Sequence, residues 1–219
     1  MTGIAEAQEL ANAAFSALRV KGVGTSRSFH SWFGASNADP QFVKKLLDQH
    51  YMTASSHLRA PTIPPGLNSL LYFCPPLSGL VSDLCGENDM AQVFTFSAPG
   101  IPRTGPTLLA VCPAFFNEKV SPNARMVRAF RNNENMESYS KGFYLLHELQ
   151  HMPKAAYPDP PPIDIENPRG DGMCYKASCC SRLKDDQKIK NAQNFALFAL
   201  DVTANPERAK PGSSVSSSS

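Results

Sequence analysis

Charge is scarce in this 219-residue chain. Asp, Glu, Lys and Arg make up 18% of it, against about a quarter in ordinary globular domains. The 21 basic and 19 acidic side chains leave a net charge of +2, and no dense Lys/Arg run occurs. Arg125, Arg128 and Arg131 share one helix face and read as a solvated surface, not as the footprint of a nucleic-acid binder. Long apolar runs are also missing. Nothing approaches the ~18 consecutive apolar residues that cross a bilayer, so no membrane partner is expected. Met1–Glu9 has neither the basic n-region nor the apolar h-region of a secretory signal. No internal repeat is apparent, and tryptophan occurs once.

Proline, in contrast, is abundant. Nineteen prolines and 13 glycines imply short elements joined by many loops, which argues against a coiled coil. Ile4, Ala7, Leu10, Ala11, Ala14, Phe15 and Leu18 form the apolar stripe of an amphipathic helix over 3–20. Asp39-Pro40 pairs an N-cap with a proline at the first helical position. It opens a second helix carrying Phe42, Val43, Leu46, Leu47, His50, Tyr51 and Ala54 on one face. His50, like His30 and His57, reads as a helix-surface or core residue. Runs at 70–74, 92–96 and 107–112 are β-prone and separated by Pro and Gly clusters. Further helices are predicted over 121–131, 137–152 and 185–202, the last with Ile189, Ala192, Phe195, Ala196, Ala199 and Val202 inward. Six prolines mark 153–170 as a long extended loop, and such loops are often functional. The order predicts an α+β fold. One domain over 1–205 packs helices with a small, mainly antiparallel sheet, and a Ser-rich disordered tail follows over 206–219.

One motif carries chemistry. His147-Glu148-Leu149-Gln150-His151 is an H-E-x-x-H sequence. On a helix, positions i and i+4 lie one turn apart on one face, so both imidazoles can reach one cation. Glu148 projects about 100° round the axis, where it can serve a water bound to that cation. Two neutral histidines, a third protein ligand and an open position make a hydrolytic zinc site, with the glutamate as general base. One catalytic Zn2+ is therefore expected. The preceding Phe143, Leu145 and Leu146 supply the buried side of a core helix.

The third ligand must lie downstream, with Asp159, Asp164, Glu166 and Asp171 as candidates. Asp171 is preferred, because Gly170 and Gly172 beside it allow the backbone to fold a carboxylate toward a metal. Asp164 is the runner-up. Asp159 and Asp164 stand in the proline-rich loop, where a solvent-facing turn is the plainer reading. Tyr175, four residues past Asp171, is the candidate to donate its hydroxyl to the oxyanion of a tetrahedral intermediate. A tyrosine packed in the core is the competing role.

Four stretches resemble the deuterolysin-type aspzincin metalloendopeptidases of fungi, including their lysine-specific branch. They are Ser28-Phe29-His30-Ser31-Trp32-Phe33-Gly34, Leu109 to Phe116, the His147–His151 helix, and Asn191-Ala192-Gln193-Asn194-Phe195-Ala196-Leu197-Phe198-Ala199. Together they span about residues 5–203. The resemblance implies a zincin fold and a zinc endopeptidase whose third ligand is an aspartate within a Gly-Thr-x-Asp-x-x-Tyr-Gly segment. Its tyrosine would help to stabilise the transition state. This chain departs there, with four positions from Asp171 to Tyr175 and Lys176 in place of the final glycine.

The cysteines are Cys74, Cys85, Cys112, Cys174, Cys179 and Cys180. An even number in a loop-rich chain suggests disulfides and an oxidising compartment. The resemblance points to a Cys85–Cys112 bridge, while Cys179 and Cys180 look to Cys74 or Cys174. A cysteine-rich zinc site ranks low, because no C-x-x-C pair occurs. The expected function is a secreted, monomeric zinc endopeptidase acting on proteins or peptides. The alternative is a catalytically weakened relative that serves as a secreted binding or host-interaction protein. A zincin that uses Glu166 as ligand is a third reading.

Overall fold

The computed structural model describes residues 2–59, 70–74, 85–86, 89–95, 107–117, 120–136, 138–156 and 159–212. The predicted serine tail lies largely outside them, as does the end of the predicted strand at Phe96.

Helix α1 (Thr2–Leu18) buries Ala7, Leu10, Ala11, Ala14 and Leu18, as its stripe requires. A short helix that the periodicity had not marked, α2 (Arg27–Phe33), follows. Ser26 caps it by accepting the Phe29 N–H at 3.2 Å, and Phe29, Trp32 and Phe33 are all buried. It stops at Gly34, whose φ is +84°. A Cβ there would sit 2.0 Å from the Asp185 carboxylate carbon, so only glycine fits.

Asp39 Oδ1 accepts the N–H groups of Gln41 and Phe42 at 2.9 Å each and opens α3 (Pro40–Lys45). A π-helical turn over Leu46–Tyr51 follows, and then α4 (Met52–Arg59). The wider turn brings two adjacent residues inward. Tyr51 is fully buried with its hydroxyl on the Phe195 carbonyl at 2.8 Å, and His50 is buried beside it.

Strands β1 (Leu70–Phe73), β2 (Ala91–Thr95) and β3 (Thr107–Val111) form a sheet in the order β1-β3-β2. The sheet is mixed. β2 runs antiparallel to β3, with Val93 opposite Leu109, whereas β1 runs parallel to it, with Leu70 opposite Thr107. Helix α5 (Asn123–Arg131) leads to α6 (Lys141–Gln150). The short helices α7 (Pro153–Ala156), α8 (Ala177–Cys180) and α9 (Asp185–Lys188) precede α10 (Ala192–Ala204).

Helices α1, α6 and α10 make the centre. α10 is buried on every face except at Thr203, as expected of a helix apolar all round. The predicted helix over 185–202 is thus two, broken where Asn191 turns the chain. α1 and α6 nearly touch at Gly142, where a Cβ would lie 2.3 Å from the Glu6 Cβ and 2.5 Å from the Ala7 nitrogen. Glu6 also accepts the N–H groups of Asn123 (3.1 Å) and Gly142 (3.2 Å), placing one carboxylate at the N-termini of α5 and α6. The packed chain continues past residue 205. Arg208 pairs with the fully buried Asp201 at 3.2 Å, and that carboxylate also accepts the Trp32 indole N–H at 2.9 Å.

Candidate metal centre

Helix α6 presents the H-E-x-x-H motif from a rigid base. Ser140 caps its start by accepting the Phe143 N–H at 3.1 Å, and Phe143, Leu145, Leu146 and Leu149 fill the core behind it. His147 is buried one turn past Phe143, and His151 is the residue that ends the helix. Their Nε2 atoms lie 3.2 Å apart.

The third member of this cluster is Asp164. Its Oδ1 lies 3.2 Å from His147 Nε2, and its Oδ2 lies 3.7 Å from His151 Nε2. The structure does not bring the preferred Asp171 into this cluster: it is exposed on the turn between Gly170 (φ +80°) and Gly172 (φ +90°). Glu166 is likewise exposed, and Asp159 pairs instead with Lys45.

The reason is tertiary. Residues 163–165 of the Pro-rich segment form a strap held against the start of α10. The Ile163 N–H donates to the Lys190 carbonyl (2.8 Å), the Ala192 N–H to the Ile163 carbonyl (2.9 Å), and the Ile165 N–H to Asn191 Oδ1 (3.2 Å). Asp164 is therefore clamped on both sides. The same segment offers the Pro162 carbonyl to His151 Nδ1 at 2.8 Å, which sets the tautomer that leaves Nε2 as a lone-pair donor.

Residues 166–173 form a small hairpin, with Glu166 opposite Met173 and the Asn167 N–H on the Gly172 carbonyl at 2.7 Å. The Cys174 N–H then returns to the Ile165 carbonyl at 2.7 Å. Tyr175 is thereby delivered to Asp164, eleven positions upstream, and its hydroxyl donates to Asp164 Oδ2 at 3.0 Å. Its ring centroid lies 5.9 Å from that of His147. Two further residues that the sequence had not marked hold this corner. The Gln193 amide donates to the Tyr175 carbonyl at 2.6 Å, and so does the Tyr139 hydroxyl at 3.0 Å.

Glu148 reaches out from α6, with Oε1 3.9 Å from His147 Nε2 and Oε2 accepting the Val93 N–H of β2 at 3.1 Å. Burial pushes its pKa up to about 7, against the pull of His147. Burial disfavours a charged His147, yet the adjacent carboxylates of Asp164 and Glu148 outweigh it and raise its pKa. Burial lowers the pKa of His151, and the neighbouring His147 adds to the effect. Burial would raise Asp164, but His147 and His151 hold it below the ordinary carboxylate range. Burial and Asp164 keep the Tyr175 hydroxyl protonated.

This donor set fits zinc. A tetrahedral ion with arms of about 2.0–2.1 Å separates its ligand atoms by about 3.3–3.4 Å. The three separations here are 3.2, 3.2 and 3.7 Å. Asp164 Oδ1 is buried without a hydrogen bond although it faces His147 Nε2. An orphaned carboxylate oxygen beside two imidazole lone pairs is stabilised by a cation. Two nitrogens and one oxygen suit zinc better than calcium or magnesium.

Cys85–Cys112 and Cys174–Cys179 are disulfides, while Cys74 and Cys180 are free. The first bridge is the one that the resemblance implied. No family model matches the sequence, and no curated protein matches it. Among solved structures, a zinc peptidase from Grifola frondosa superposes with a TM-score of 0.53 over 91% of this chain and 91% of that one, at 17% identity. The chain has the fold of that zinc peptidase.

Proposed function

We propose that the chain is a zinc-dependent endopeptidase of the aspzincin type, held by His147, His151 and Asp164 and worked by Glu148. The observation that carries this reading is the convergence of three ligand atoms within 4.8 Å of one another, with a buried carboxylate alongside, on the fold of a zinc peptidase. Zinc bound there would polarise the scissile carbonyl and acidify water. The protein does the rest. Glu148, anchored by the Val93 N–H, takes the proton of the attacking water and passes it to the leaving amine. Tyr175, kept protonated, donates to the oxygen on which negative charge develops. β2 is an edge strand of the described sheet and the one that contacts Glu148, so a substrate backbone can run along it as an added strand. Two disulfides support an extracellular setting.

The altered spacing behind the binding-protein alternative is accounted for by the hairpin, which restores Tyr175 to the site. The test combines metal content with cleavage of a denatured protein, with and without chelator. The purified chain should carry one zinc and lose activity on chelation. Glu148→Gln should keep the zinc and lose cleavage. Full activity in that variant sinks the mechanism, and zinc without turnover in the parent returns the binding-protein alternative.

A further inference from the structure

A cavity of about 370 Å3 opens beside His147 and Glu148, large enough for one bulky side chain. Its walls include Met90, Ala91, Met136, Tyr139 and Tyr144. The rings form a fixed box. Tyr139 stacks on Phe143 at 4.1 Å and 10°, and Tyr144 stands edge-on to Tyr139 at 6.1 Å and 87°. The two thioethers are adaptable and fill round whatever enters.

The polar lining carries charge of both signs, Glu148 and Asp89 against Lys176. Gln193, 3% exposed, is a neutral amide already committed to the Tyr175 carbonyl. Asp89 Oδ2 accepts the Gly86 N–H (2.7 Å) and the Gln92 amide (2.5 Å). Lys176 also lines the cavity and has no carboxylate partner among the described residues. A substrate lysine or arginine would lose hydration against the rings, and the Lys176 ammonium would offset the attraction of the Glu148 and Asp89 carboxylates. A substrate aspartate or glutamate would meet Glu148 and Asp89. Either charge is disfavoured, whereas an apolar side chain gains from burial against the rings.

We propose that this cavity receives the substrate side chain next to the scissile bond and selects large uncharged ones: Phe, Tyr, Leu or Met. The proposal rests on the peptidase reading, and it sets this chain apart from a lysine-directed enzyme. Binding separates the two ideas. Calorimetry on the zinc-loaded Glu148→Gln chain would use acetyl-Ala-Ala-X-Ala-Ala-amide with X as Phe, Leu, Lys or Glu. The Phe and Leu peptides should bind at least tenfold tighter than the Lys and Glu peptides. Met136→Glu, on the partly exposed wall, should narrow the Phe-over-Lys ratio at least fivefold. Equal affinities, a tighter Lys peptide, or no binding of the Phe peptide overturns the pocket assignment and leaves the peptidase reading standing. A preference for Phe in a zinc-loaded parent that cuts nothing overturns the peptidase reading instead.

Discussion

Removing either aspartate that sequence reasoning placed near the metal gives opposite expectations, and the difference can be sized. Zinc in small structural sites is held by about 10–16 kcal/mol over four ligands, or roughly 2.5–4 kcal/mol per ligand. Asp164 is clamped by residues 190–192 and faces both imidazoles at 3.2 and 3.7 Å, so Asp164→Ala forfeits about that share. At about 1.4 kcal/mol per decade, zinc affinity should fall by about 10²–10³. Asp171 stands exposed on its hairpin turn, so Asp171→Ala should change affinity by less than about twofold, within the ±0.5 kcal/mol typical of surface substitutions. Tyr175→Phe removes the hydroxyl that holds Asp164 Oδ2 and should weaken zinc by about tenfold, the low end for outer partners of metal ligands. Competition against a chromophoric chelator at fixed pH, with metal content read in parallel, gives all three values. If Asp171→Ala sheds zinc while Asp164→Ala keeps it, the clamp is not what selects the ligand and the site is misassigned.

Gly142→Ala should disturb the zinc helix from its far side, because the new Cβ would meet Glu6 and Ala7 at 2.3–2.5 Å. Overpacking of this kind costs about 1–3 kcal/mol, read as a melting temperature lower by roughly 2–12 °C in a chain of this size; an unchanged transition would contradict the close approach of α1 and α6. His50, whose pKa burial lowers to about 3, stays neutral in the fold while the unfolded chain takes up a proton below about 6.5. Stability is therefore lost as pH falls from 6.5 toward 3, by up to roughly 4–5 kcal/mol. Urea titrations of metal-free His50→Gln at pH 7 and pH 4 should show a smaller loss than in the parent. A thiol reagent should find one accessible cysteine in the native protein, Cys74, and two after denaturation. Cys180 is buried, with its pKa pushed up to about 12; any other count contradicts the pairing.

What was legible depended on how local the physics is. The H-E-x-x-H pair follows from helical period alone, and α1 and the cap at Asp39 follow from apolar spacing and N-terminal hydrogen bonding, so all three could be read directly. The π-helical turn at Leu46–Tyr51 leaves no local mark, because it is stabilised by Tyr51 and His50 reaching Phe195 and Gln150 far along the chain. The place of Asp164 beside the two histidines was hidden for the same reason. Gly170 and Gly172 looked like a device for aiming Asp171 inward, but their positive φ closes a hairpin that carries Asp171 outward. Asp164 is aimed by backbone bonds to residues 190–192, a pairing across some 27 positions that no nearby spacing encodes. The one local clue is the apolar pair Ile163 and Ile165 around Asp164, an alternation that suits a bridged, extended segment better than a free turn. Once that segment is fixed, the eight-residue hairpin is an insertion between ligand and tyrosine, and only its closure matters. A hairpin lengthened or shortened at its exposed turn should therefore leave zinc bound, whereas a one-residue shift between Ile163 and Asp164 should turn the carboxylate to the opposite face and lose it.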